Sequence, residues 1–235
     1  MTMGPEPEPG PGARPARAER TRSAVYDAAM TLFEERGYQA TTMRLIAERA
    51  GVSLGSSYTY FPSKEHLILE FYRRLVHAQA EAAIPVLAAS RDLEDRMRGT
   101  LQVLIAECEQ VRRTAGSIAA SVADPESPAS PFGPASATLR AEGIAIWRSV
   151  VEGSDAHLPV DLRVDLPELL WVGQMGVLYL WMTDRTAGRQ ATLDAIDEGV
   201  TLFARLLTLA NLPMFRDTRE RALRLARIVV SQLAP

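Results

Sequence analysis

The sequence predicts an all-α protein, with an N-terminal helix-turn-helix unit followed by a larger helical domain. Apolar residues recur at helical spacing along most of the chain, and no stretch alternates as a strand would. Two very short helical patterns near residue 50 are separated only by a glycine turn. With 235 residues, 47% of them hydrophobic and 23% charged, the chain can bury a sizeable core, which excludes disorder and collagen. A single cysteine, Cys108, excludes an internal disulfide, and no Cys/His cluster has zinc-ligand spacing, so neither metal nor cofactor is expected.

Residues 1–16 carry Pro5, Pro7, Pro9, Pro11 and Pro15 among Gly and Glu, which predicts a disordered arm. From Glu19 onward, Val25, Ala28, Ala29, Leu32 and Phe33 form one helical face that Gly37 can close. Thr42 then caps a short helix with Met43, Ile46, Ala47 and Ala50 on one face, and Gly51 supplies a turn that needs positive φ. Ser53 caps a second short helix running to about Tyr60. Pro62 stops it, and Ser63 caps a longer helix that Pro85 is expected to close. Further helices are expected near 92–112, 114–123, 135–153, 162–183, 191–210 and 216–233. Asp124 to Pro134 holds four prolines and reads as a loop. The last helix is expected to dock through Ala222, Leu225, Ala226, Val229 and Leu233.

The net charge of -3 hides an asymmetry. Residues 14–74 hold ten Lys/Arg against seven Asp/Glu, whereas residues 75–235 hold sixteen against twenty. Binding to a polyanion therefore belongs to the front of the chain. The longest apolar stretch, Leu166 to Met182, is shorter than the ~20 residues of a membrane span and contains Pro167, Glu168 and Gln174. The N-terminus has no apolar signal segment. A soluble, cytoplasmic protein without a membrane partner is expected.

Thr42–Ala50 and Ser53–Tyr60, joined through Gly51-Val52, have the dimensions of a helix-turn-helix, whose second helix enters the DNA major groove. The 47 residues TRSAVYDAAMTLFEERGYQATTMRLIAERAGVSLGSSYTYFPSKEHL, Thr21 to Leu67, strongly resemble the DNA-binding domain of TetR-family transcriptional repressors. The resemblance rests on Phe33, Gly37, Thr41-Thr42, Ile46-Ala47, Ala50-Gly51-Val52-Ser53, Gly55, Tyr58, Tyr60-Phe61 and Lys64-Glu65. It implies a DNA-binding domain over 17–67, an effector-binding and dimerisation domain over 68–235, and a recognition helix at Ser53–Tyr60. It also implies that Thr42, Tyr58, Tyr60 and Lys64 contact DNA. Ser53, Leu54, Gly55, Ser56, Ser57 and Thr59 complete the candidate surface.

Local chemistry refines that surface. Lys64, the chain's only lysine, falls in the first turn of its helix, where the dipole disfavours a cation; an external phosphate would supply a reason for it. Tyr58 and Tyr60 cannot share a helix face, and Tyr60 is favoured for phosphate. Leu54 stands where the family commonly has a lysine or another polar residue, and the recognition helix has no Arg, Asn or Gln. Bidentate base reading by that helix is therefore unavailable, and Arg44 becomes the best base reader. Leu45 leaves the Thr42 cap one-sided, without the acidic partner of a capping box. Arg17, Arg20 and Arg22 are candidates for a minor groove or for phosphates.

In the family the remaining helices bind a small effector and form a dimer, and the expected homodimer uses the helices near 162–183 and 191–210. Gly173 and Gly176 would permit close helix approach there, and Asp184-Arg185 would form a local salt bridge. Glu107, Cys108, Trp147, Gln174 and Tyr179 are the candidate lining of a pocket for a mainly apolar effector. Cys108 has no second thiol to resolve an oxidised form, which argues against thiol sensing. His66, His77 and His157 have no nucleophile or metal partner in the pattern, so no enzyme is expected. The competing reading is a helical ligand-binding or scaffold protein that has lost specific DNA binding.

Overall fold

A computed structural model describes residues 13–124 and 126–233. Most of the predicted arm lies outside them. Ten α-helices follow in order: α1 (Ala13–Arg36), α2 (Met43–Arg49), α3 (Leu54–Tyr60), α4 (Lys64–Ala89), α5 (Leu93–Gln110), α6 (Arg112–Ala123), α7 (Ala137–Glu152), α8 (Val160–Thr183), α9 (Gln190–Ala210) and α10 (Arg216–Leu233). The described residues contain no strand. They also contain no helix long and apolar enough to cross a membrane.

Two helix ends differ from the sequence expectation. α1 starts at Ala13, ahead of Glu19, and so takes in the last four residues of the predicted arm. Pro15 lies in the first turn, where a missing N–H breaks no helical bond. Pro85 lies inside α4 instead of closing it. The last turn beyond this proline is held from outside, because Arg96 Nη1 donates to the carbonyls of Leu87 (2.6 Å) and Ser90 (2.9 Å).

The chain divides into two compact units at Ile68/Leu69. In the first, Val25, Ala29, Leu32 and Phe33 of α1 bury against Ile46 and Ala47 of α2, with Phe61 and Leu67 closing the core. Gly37 (φ 80) and Gly51 (φ 67) occupy left-handed backbone, as the two tight turns require.

In the second unit α7 lies along α8 and α5 along α9. Their shared core includes Met97, Leu104, Trp147, Leu166 and Ile196. One buried cation ties this unit together. Arg96 Nε and Nη2 donate to Val150 (2.8 Å) and Ser149 (2.7 Å), while Nη1 serves Leu87 and Ser90. A guanidinium is thus held by carbonyls at the C-terminal ends of α4 and α7, where helix dipoles favour positive charge. Gly153 makes room for it, since a Cβ there would run into the Arg96 guanidinium.

α10 docks by a different face from the one expected. Leu223 is buried, whereas Ala222 and Leu225 are exposed and Ala226 is half-buried. The reason is electrostatic: Arg219 pairs with Asp161 and Arg227 with Asp165, which turns the side between them toward α8. Val229 and Leu233 have side chains outside the described set.

Arg96→Met takes one donor from each of four carbonyls, of which Ser149 O keeps the Gly153 amide, and is expected to lower unfolding stability by about 3 kcal/mol. Gly153→Ala should also destabilise the fold by displacing the guanidinium. Urea denaturation followed by circular dichroism measures both, and unchanged midpoints would remove Arg96 from this role.

Candidate nucleic-acid interface

The α2–α3 unit is built from short side-chain caps. Thr42 Oγ1 accepts from the Leu45 amide at 3.3 Å, a one-sided cap as expected with leucine at that position. Ser53 Oγ accepts from the Ser56 amide at 3.1 Å and starts α3. Thr41, fully buried, shares its one hydroxyl hydrogen between Gly37 O (2.9 Å) and Leu32 O (3.2 Å), pinning the end of α1 to the start of α2. Gly51 to Gly55 also spells G-x-S-x-G, which in hydrolases sits between a strand and a helix. Here it joins two helices, and its serine hydroxyl serves as an N-cap.

The predicted contact residues separate into outward and inward groups. Thr42, Arg44, Ser53, Gly55, Tyr58 and Thr59 are exposed; Leu54, Ser56 and Tyr60 are half-buried. Ser57 is fully buried and donates to Leu54 O at 2.8 Å, so its hydroxyl is unavailable to an outside partner. Tyr58, not Tyr60, is the more exposed tyrosine, at 47%. Arg44 carries no ion pair or hydrogen bond among the described residues. Arg49 on the same helix is held in a bidentate pair with Glu35 at 2.8 and 3.0 Å. A Cβ on Gly55 would meet nothing within 4 Å, so no internal packing demands this glycine; it leaves the first turn of α3 open to close approach.

Lys64 has an internal partner that the sequence did not reveal. Its Nζ donates to Tyr38 O at 2.8 Å and lies 4.2 Å from the centroid of the Tyr38 ring. Tyr38 Oη in turn donates to Glu65 Oε1 at 2.9 Å. Burial lowers the Lys64 pKa from its ordinary value, opposed by the charge of Glu65. Burial pushes the Glu65 carboxyl the other way, but hydrogen bonds from Ser63, its own backbone and Tyr38, together with the Lys64 charge, hold it below the ordinary value. Arg22 is similarly committed, its guanidinium 5.0 Å from the Phe61 ring centroid. Arg17 and Arg20 remain exposed on α1.

Of the five candidate effector residues, Trp147, Gln174 and Cys108 share one core, and Glu107 and Tyr179 lie outside it. Trp147 Nε1 and Gln79 Nε2 both donate to Gln174 Oε1, at 3.0 and 2.9 Å, and all three side chains are buried. Cys108 lies in the same core, and burial pushes its thiol up to about 12 with help from Glu109 and Glu107. Glu107 is half-buried and accepts from Gln110, while Tyr179 is 64% exposed. Gln79 was missed from sequence, although as a polar residue four places from Leu75 and Ala83 it interrupts the apolar face of α4. The Tyr72 hydroxyl, also missed, is buried without a hydrogen-bond partner. Asp184 does not pair with Arg185; it accepts from the amides and hydroxyls of Thr186 and Thr192.

Two short helices joined by a glycine turn, with the first turn of the second left open, have the form of a helix-turn-helix. Comparison with known proteins gives the family. Residues 25–71 match the bacterial regulatory proteins of the tetR family, and residues 96–220 match the tetracyclin repressor-like C-terminal domain. The chain belongs to the TetR family of transcriptional regulators. It is 46% identical over 59 residues to the HTH-type transcriptional repressor KstR of Rhodococcus jostii (strain RHA1), a stretch covering 25% of this chain and only 27% of that protein. Its fold resembles that of the TetR transcriptional regulator from Nitrosomonas europaea, with a TM-score of 0.59 and 18% identity over 77% of this chain and 96% of the other. It also resembles NalD, the secondary repressor of the MexAB-OprM multidrug efflux pump in Pseudomonas aeruginosa, with a TM-score of 0.53 and 21% identity over 79% and 96%.

The ties to Tyr38 make Lys64 a structural residue first. Lys64→Ala is expected to lower stability by about 1–2 kcal/mol in the absence of DNA. Because the folded-state pKa of Glu65 is depressed, its contribution is complete above the ordinary carboxylate range and is lost as pH falls through the folded value. Urea midpoints of the wild type and Glu65→Gln should therefore converge in acid and separate near neutrality; a constant gap would contradict this.

Proposed function

We propose that the protein is a homodimeric transcriptional repressor that inserts two α3 helices into a palindromic operator and is released by a small, mainly apolar effector. The observation that carries the reading is the exposed edge of α2–α3, where Thr42, Ser53 and Tyr58 present hydroxyls beside the uncommitted Arg44, while the Thr59 hydroxyl donates to Gly55 O and leaves its methyl outward. The hydroxyls suit phosphate oxygens, Leu54 and Thr59 suit thymine methyls, and Arg44 is the group able to read guanine in bidentate fashion. Lys64 then acts mainly by holding the frame from which α3 projects, and the half-buried Tyr60 keeps its place as a phosphate candidate.

Pairing is supported by α9. Ala195, Gly199, Leu202, Leu206 and Leu209 recur at alternating intervals of four and three, and all are exposed. That spacing suits a helix packed on a second helix. On α8, Gly173, Gly176, Tyr179 and Met182 are exposed as well. Two copies would set their α3 helices about one DNA turn apart, roughly 34–36 Å. α4 supplies the lever for release, since it begins beside Tyr38 and ends where Arg96 holds its last turn. An effector acts on this equilibrium only by binding the released arrangement more tightly than the DNA-bound one. Of the residues assigned to its pocket, Trp147, Gln174 and Cys108 are the ones a ligand could engage by opening the core.

The absence of Arg, Asn and Gln from α3 favours one rival, a helical ligand-binding protein without specific DNA binding. Fluorescence anisotropy with duplex DNA from the gene's own upstream region, at two salt concentrations, separates the two. A repressor gives tight binding that falls steeply with salt, whereas the rival gives neither. Arg44→Ala is expected to cost about 1–3 kcal/mol of operator affinity and to relax one base position. Leu202→Glu combined with Leu206→Glu should yield monomers by sedimentation and abolish tight operator binding; an intact dimer would move the interface elsewhere.

A further inference from the structure

The turn between α8 and α9 encloses, with the end of α5 and the start of α6, a concavity of about 740 Å³. Arg112, Arg185 and Arg189 line it. Arg112 and Arg185 are exposed and have no hydrogen bond or ion pair among the described residues. Arg189 has a side chain only 13% exposed, and its buried Nε has no hydrogen-bond partner. The nearest carboxylate oxygen, Glu109 Oε1, stands 3.5 Å from that nitrogen and already accepts from Trp181 Nε1 at 2.5 Å.

The second acid at the concavity is also committed. Both oxygens of Asp184 are taken by Thr186 and Thr192, and these hydrogen bonds hold its carboxyl well below the ordinary range. Three guanidiniums therefore face one partly available carboxylate. The backbone adds a second peculiarity: Gly188 (φ 61) and Arg189 (φ 58) are both left-handed, a conformation an arginine rarely adopts. This strained turn carries the Arg189 side chain back toward Glu109. We infer that the concavity is a binding site for a small polyanion, whose phosphate or carboxylate groups bridge Arg112, Arg185 and Arg189. Guanidinium forks match either group by paired hydrogen bonds, and clustered positive charge favours more than one negative group per ligand.

Equilibrium dialysis of the full chain tests the site with radiolabelled pyrophosphate and, separately, radiolabelled citrate, at an ionic strength fixed with sodium chloride. Saturable binding near one equivalent per chain is expected for at least one probe, weakened tenfold or more in the Arg112→Gln, Arg185→Gln double variant. Both substituted side chains are exposed, and an unchanged urea midpoint checks that the variant folds. Pyrophosphate alone binding assigns the site to phosphates, and citrate alone to carboxylates. No saturable binding of either probe, or equal binding by the variant, overturns the inference.

Discussion

The N-terminal unit depends on the grip that the start of α4 keeps on Tyr38. Lys64 takes the carbonyl and the ring face, and Glu65 takes the hydroxyl. One tyrosine in the α1–α2 turn is thus held at both ends by consecutive residues of another helix. Because Tyr38 also packs at a tilt against Phe33 with ring centroids 5.2 Å apart, the grip reaches the core of α1. α2 and α3 are only seven residues each, too short to be stable alone, so their placement is inherited from this frame.

The larger unit relies on polar groups placed where apolar packing alone would be ambiguous. Arg96 joins the C-terminal ends of α4 and α7. Gln174 joins Gln79 and Trp147 inside the same core. Such buried polar contacts fix helix register, because a shifted helix would leave donors without acceptors. They also define what a ligand must replace if it enters between α4, α7 and α8, which ties the proposed release to the chemistry of the core.

Helices and their approximate ends were legible from apolar periodicity and capping residues, and the α2–α3 motif from its glycine and hydroxyl spacing. What failed were readings that depend on a distant partner. Pro85 looked like a stop because the carbonyl contacts of Arg96 cannot be seen along the chain. Lys64 looked like a cation in need of an outside phosphate because the Tyr38 carbonyl is 26 residues away. Ser57 resembled its serine neighbours by composition, and only the packing of α3 shows that it points inward. For α10, periodicity offered more than one apolar face, and the choice was made by ion pairs to Asp161 and Asp165 on α8.

The proposed function requires the exposed edge of α2–α3 to read a specific duplex as part of a symmetric pair. Selection of binding sites from random duplex DNA by the purified full chain tests it most directly. An inverted repeat whose half-site centres lie about 10 base pairs, or a multiple of that, apart should be enriched. Recovery of no sequence above background, after selection at moderate salt, would contradict it.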